Sequence, residues 1–367
     1  MSDPLALPLL PHLTNIRGSR DRISSAASAD KLQSGESDTP FLDKQYGHTW
    51  SFTPKPGSAV YGLTNNFKPS PVDHLASGRF LRVPFRRVPV FEFTSLDSVF
   101  AFAGMTYSMN PNIKLMWRGQ TAEYFIKREE ADSLRLFGEP QVAEPSLGPS
   151  ASRSGLEFKS IFKSWSAILD AYIMEQSALL AETNPAMREK LATETERFRA
   201  GYDYRLWAFA TAQHYGLPSV GLDVTSDLAV ALLFSLYNFN IDRLTGRTTF
   251  SRVADHAEPI LYALGAFEND LFDDAKLSPP WFQCARPKAQ SAFFLATGWG
   301  LASNRAAERI FVAIRLRNHK NWELPKSVDS LLPSQADDRF LSFLLDARRR
   351  FEVIAKEAML DRIYYSE

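Results

Sequence analysis

Gln213-His214-Tyr215-Gly216-Leu217-Pro218-Ser219-Val220-Gly221-Leu222-Asp223-Val224-Thr225 is the stretch around which the rest of the chain is read. Tyr204 to Tyr215 patterns as a helix, and Gly216 and Pro218 end it, glycine by accepting a left-handed backbone and proline by refusing to continue. Val220 to Asp223 reads as a short extended piece. The apolar run from Leu228 reads as a second helix opening at Thr225 or Ser226, with Asp223 or Thr225 able to cap it. An amide, an imidazole and a phenol therefore share one helix end, and a carboxylate and a hydroxyl open the next element.

Upstream, Ile113 to Trp117 reads as a strand closed by Trp117-Arg118-Gly119-Gln120. The Arg118 guanidinium is a rigid fork suited to phosphate or carboxylate, and Gly119 leaves room for a ligand against the main chain. Val88 to Phe93 reads as another strand and Ser95 to Phe102 as a helix capped by Ser95 or Asp97. Glu139 to Ser154, with prolines 140, 145 and 149, reads as a loop. Ile161, Trp165, Ile168 and Tyr172 form a core-facing helical stripe, and Pro185 starts a further helix running through Leu191 and Phe198. Downstream, Pro259 to Phe267 and Arg309 to Leu316 read as strands, and Arg339 to Leu360 as helical. This irregular order, without an internal repeat, predicts an α+β fold: a mixed sheet with a substantial helical insertion and peripheral helices.

Composition narrows the functional classes. Apolar residues make up 45% of the 367 positions, enough to bury a real core. Lysine plus arginine and aspartate plus glutamate both number 42, so no global field draws nucleic acid or an acidic membrane. Arg79 to Arg87 interleaves basic and aromatic residues, but a strand or loop with solvated arginines is the simpler reading than a nucleic-acid surface. The N-terminus makes a poor signal peptide. The run Leu228 to Phe239 is short of the roughly 20 residues that a bilayer requires. Cys284, the single cysteine, reads as a buried, inert thiol in a reducing compartment, and a cytoplasmic location is expected. The six histidines lack metal-ligand spacing, so no metal is expected, and no glycine-rich phosphate loop occurs.

The two motifs together resemble the FRG domain, a family with a Phe-Arg-Gly motif and a Gln-His-Tyr-Gly-Leu-Pro run that continues into Leu-Asp-Trp-Thr. Here the first reads Trp117-Arg118-Gly119-Gln120, and the second continues into Leu222-Asp223 and Thr225. Pro145-Ser146-Leu147 and Arg286-Pro287-Lys288-Ala289-Gln290 are similar to later family segments. The chain departs from the pattern at Ser219, Val220, Gly221, Val224, Ser291 and Ala292, and Val220 removes a second motif cation. Residues 1–80, rich in Pro, Ser, Gly, Asp and Asn at their start, read as an irregular N-terminal arm or lid and 321–367 as a C-terminal helical extension, and the resemblance implies an FRG-like domain over 81–320 with its motif core at 113–300. Family members are similar to components of mobile elements and anti-phage systems.

The order Arg118, Asp223-Val224-Thr225, Gln290 is also similar to the arginine, hydroxyl and late-acid order of ADP-ribosyltransferases, and a distant likeness to that fold is expected. On that likeness Arg118 holds a phosphate of NAD, Thr225 orients it, and a carboxylate from Glu258, Glu268 or Asp223 replaces the acid that Gln290 cannot supply. The resulting site comprises His214, Asp223 and Gln290 as candidate catalytic residues. Arg118, Gly119, Gln120, Gln213, Tyr215, Thr225 and Arg286 are the ligand-binding candidates. Three readings stay open: an NAD-using transferase or glycohydrolase, a non-catalytic nucleotide-sensing or protein-interaction module, and a hydrolase with His214 as general base.

Overall fold

A computed structural model describes residues 41–43, 45–46, 48–50, 76–83, 86–111, 114–137, 140–153, 158–242, 244–266, 271–282, 284–296 and 303–365. In chain order the strands are β1 (Phe41–Asp43), β2 (His48–Trp50), β3 (Ala76–Val83), β4 (Arg86–Phe93), β5 (Lys114–Gln120), β6 (Leu222–Thr225), β7 (Tyr237–Ile241), β8 (Thr248–Arg252), β9 (Ile260–Ala266), β10 (Leu271–Asp273), β11 (Ala292–Leu295) and β12 (Ile310–Leu316). The helices used below are α1 (Leu96–Met109), α2 (Glu130–Phe137), α3 (Phe158–Thr183), α4 (Arg188–Ala200), α5 (Tyr202–His214), α6 (Leu228–Leu236), α7 (Ala285–Ala289), α8 (Arg339–Arg350) and α9 (Glu352–Glu357).

Eight strands form one mixed sheet in the order β10-β11-β6-β5-β9-β12-β4-β3, with β12 and β4 parallel and the other neighbours antiparallel. Alternation along β9 shows why both faces are apolar: Ile260, Tyr262 and Leu264 enter one core, Leu261 and Ala263 the other. In β12 a register shift between Ile310 and Val312 turns Phe311 and Val312 to the same face, as an inserted residue in a ladder does. α1 and α6 cover that face, and α1 is capped by Ser95, whose hydroxyl accepts from the Ser98 amide at 3.2 Å.

The helical insertion lies between β5 and β6. Trp165, Ile168 and Tyr172 of α3 bury the predicted stripe, and the Trp165 indole donates to the Ala208 carbonyl of α5 at 2.8 Å. Phe340, Leu341 and Leu344 of α8 join the same core, with Phe340 edge-on to Tyr215 at 5.0 Å. The C-terminal helices are thus a wall of the main core and not an appended extension. The expected arm is altered at its end, because β3 starts at Ala76 inside the sheet. Its stretches 1–40 and 51–75 lie outside the described residues.

Two expectations about α6 are corrected. It opens at Leu228, and its cap is Asp227, whose carboxylate accepts from the Ala229 amide at 2.8 Å; neither Asp223 nor Thr225 caps it. The apolar run also ceases to be helical at Leu236 and continues as β7. Gly119 is required by this helix: a Cβ there would lie 1.9 Å from the Ala231 carbonyl oxygen and 2.8 Å from the Ser235 nitrogen. Since the obstacle is helix backbone, Gly119→Ala should cost about 3 kcal/mol, read as a lower urea midpoint. An unchanged midpoint would show that α6 does not press on this strand.

Candidate functional site

β5 and β6 pair at Trp117 and Thr225. Beyond that pair the Arg118 guanidinium bridges the gap, its Nη1 donating to the Asp223 carbonyl at 2.6 Å. A cavity of about 290 Å³ opens at this seam, and its walls include Arg118, Gly119, Gln213, Asp223, Thr225 and Gln290. Six of the ten predicted site residues therefore converge from three separated segments. Phe234 of α6 and Trp117 supply apolar wall.

α5 delivers two of the motif residues through a left-handed ending. Gly216 has φ +90°, the Leu217 amide donates to the Ala212 carbonyl at 2.9 Å, and the Gly216 amide donates to Gln213 at 3.2 Å, the paired bonds of a Schellman end. Gln213 then holds the following strand: its amide nitrogen donates to the Gly221 carbonyl and its oxygen accepts from the Asp223 amide, each at 3.0 Å.

His214 is buried behind the cavity wall. Its Nε2 lies 2.7 Å from Asp274 Oδ2 and 3.8 Å from Asp223 Oδ1, and its Nδ1 lies 3.1 Å from Gln290 Oε1. Gln290 donates its own amide to the Leu331 carbonyl at 3.0 Å, so its oxygen faces the ring and Nδ1 carries a hydrogen. Burial alone would push the imidazole down, but the Asp223 and Asp274 carboxylates outweigh it and hold the ring up at about 9. Burial pushes Asp223 up to about 6, with Asp274 adding to the rise and His214 and Arg118 opposing it. Burial likewise raises Asp274. At neutral pH the ring is a buried cation donating to Asp274, and Asp223 is the member of the group that faces the cavity.

Other predicted residues have different work. Tyr215 is fully buried, donates to Asp338 Oδ2 at 2.5 Å and does not line the cavity, so a ligand-binding role is corrected to a packing one. Arg286 has 0% exposure; it donates to the His214 carbonyl at 3.0 Å and the Tyr364 carbonyl at 2.5 Å, and lies over the Tyr215 ring at 4.4 Å. It closes the end of α5 and is out of a ligand's reach. The Thr225 hydroxyl donates to the Gln290 carbonyl at 2.8 Å, stitching β6 to the turn before β11. Gln120 points to a neighbouring recess, its amide donating to the Ser146 carbonyl at 3.2 Å. Of the substitute acids, Glu258 pairs with Arg317 at 2.6 Å away from the cavity, and Glu268 is outside the described residues. Cys284 is buried and its thiol is pushed well up, as an inert residue requires.

Sequence reasoning missed Asp274. It follows β10, a three-residue strand without a pattern of its own, and only the β10-β11-β6 ladder carries it to His214. Among the described residues His214, Asp223 and Asp274 are the set whose ligand atoms fall within 4.8 Å of one another. Two ligands on a tetrahedral zinc centre sit about 3.3 Å apart. The 2.7 Å between Nε2 and Asp274 is instead the separation of a shared proton. No protein-family model, curated protein or solved structure matches the chain.

A histidine that binds its proton more tightly when folded contributes stability in full below pH 6.5 and loses it as the pH rises to about 9. Urea unfolding of the native chain should therefore show stability declining across that window. His214→Gln should lower stability at neutral pH by about 1–3 kcal/mol and flatten the decline. A variant that melts like the native chain would refute the buried cation.

Proposed function

We propose that the chain is an FRG-like protein whose cavity takes a nucleotide and acts on its N-glycosidic bond, with NAD as the substrate candidate. The observation that carries this reading is Asp223: a cavity-wall carboxylate held up at about 6, beside the Arg118 cation. A base with that affinity is mostly ionised at neutral pH yet still strong enough to take a proton, the balance that favours general-base work. The same negative charge favours a ribosyl centre that becomes cationic as the bond breaks. Asp223 thus supplies the acid that Gln290 lacks.

Arg118 is the phosphate partner in this reading, because its guanidinium places a permanent positive charge on the cavity wall, held there by its bond to the Asp223 carbonyl. His214 and Asp274 do not touch substrate; they act on Asp223 through their charges, His214 from 3.8 Å. The bond from C1′ to the leaving base breaks with its electron pair passing to the base. A water or acceptor hydroxyl forms the new bond at C1′ and passes its proton to Asp223. About 290 Å³ fits a ribose and one ring, just below the roughly 300–1,000 Å³ usual for such sites.

The commitment of His214, Thr225 and Gln290 to internal bonds favours a second reading, a nucleotide-sensing module without turnover. Mass spectrometry of nicotinamide release from NAD separates the two. The enzyme reading expects release that falls about 100-fold or more in Asp223→Asn and in Arg118→Ala, and is not rescued by Arg118→Lys. Binding without release supports the module. Release that survives both variants would remove the cavity from the chemistry.

A further inference from the structure

A second recess of about 450 Å³ adjoins the cavity and shares Arg118 and Phe234 with it. Its walls are unlike those of the first. Phe234 and Phe239, stacked on each other at 5.2 Å and 13°, both line it, and Tyr124 and Phe125 stand 51% and 40% exposed at its rim. Arg118 is its one charged lining residue among those described. Large exposed aromatic rings gathered at a concave, nearly uncharged surface are the means by which proteins hold flat heterocycles. Gln120 adds a polar preference: its amide nitrogen donates one bond to the Ser146 carbonyl, and its Oε1, buried in the wall, has no hydrogen-bond partner among the described residues. A ring bearing an amino group supplies the donor that this oxygen lacks.

We infer that this second recess is a nucleobase subsite for a base carrying an exocyclic amine, of the adenine type, with Arg118 between the two lobes on the phosphate. The inference rests on the nucleotide reading of the first cavity and extends it. One lobe alone is too small for a dinucleotide, and the shared arginine places phosphate where the halves of such a ligand meet.

Calorimetric titration with AMP, IMP, ribose 5-phosphate and adenosine tests it. AMP should bind roughly tenfold or more tightly than ribose 5-phosphate, because base stacking on aromatic side chains contributes on that scale. IMP, with an oxo group in place of the amine, should bind several-fold more weakly than AMP. Tyr124→Ala, at an exposed position, and Phe239→Ala should bring AMP toward ribose 5-phosphate, with circular dichroism unchanged for the first. AMP and ribose 5-phosphate binding equally, both weakened in Arg118→Ala, would overturn the base subsite and leave the phosphate reading standing. Adenosine binding that ignores Arg118→Ala but is lost in Tyr124→Ala would keep the subsite and sink the phosphate reading. Equal affinity for AMP and IMP would remove the role of Gln120. Absence of binding by both AMP and adenosine would overturn the inference.

Discussion

Taking a charged imidazole out of water is costly unless both ring nitrogens are bonded and counter-charge lies close. His214 meets both conditions only because three remote pieces of chain arrive together: Asp274 after β10, Gln290 after α7, and Asp223 on β6. Each must be placed within a fraction of an ångström, and each has its own anchor. The sheet edge β10-β11-β6 aligns the two aspartates, and Gln290 is tethered through Leu331. Arg286 holds the carbonyl of His214 itself. The cluster is therefore both a consequence of the fold and a condition for it, since losing one partner leaves the others buried and unsatisfied.

The polar residues around this point divide by reach. Asp223 and Arg118 line open space, whereas His214, Tyr215 and Arg286 lie behind it and bind protein. A cavity whose chemical groups are held from behind by a bonded layer loses little when a ligand enters, because its side chains are already ordered. The loop bearing Pro145 and Leu147 contributes in the same way. The Asn304 side chain donates to the Pro145 carbonyl at 2.8 Å and accepts from the Leu147 amide at 2.7 Å, while Glu144 pairs with Arg128 and accepts from Tyr46. The irregular backbone leading to Ser150 on the cavity wall is thus tied down by side-chain bonds.

The helical stripe of α3, the end of α5 and the central strands β5, β9 and β12 were legible in the sequence because their signals are local: periodicity, a glycine stop, apolar runs. The mixed α+β architecture followed from their order. β7, β10 and β11 were not legible, since strands of three to five residues carry no period and exist by pairing. The site shows the same division. The sequence marked Arg118 and the Gln213 to Thr225 stretch, which do converge. It could not tell the cavity-lining members from those behind the wall, because Arg118 and Arg286 look alike until burial separates them. Gly119 is instructive: the sequence suggests room for a ligand, and the structure fills that room with the backbone of α6.

One arrangement bears on the order in which the molecule is completed. Arg286 grips Tyr364 as well as His214, and the Arg362 carbonyl and Tyr364 ring crowd Gly216 so closely that a Cβ there would lie 2.7 Å from each. During synthesis, Arg118 and the whole Gln213 to Thr225 stretch emerge long before residue 364 does. The growing chain consequently carries every wall residue of the cavity while the α5 terminus still lacks its closing strap, so a nascent polypeptide stays unfinished at this site until Tyr364 itself has cleared the ribosome.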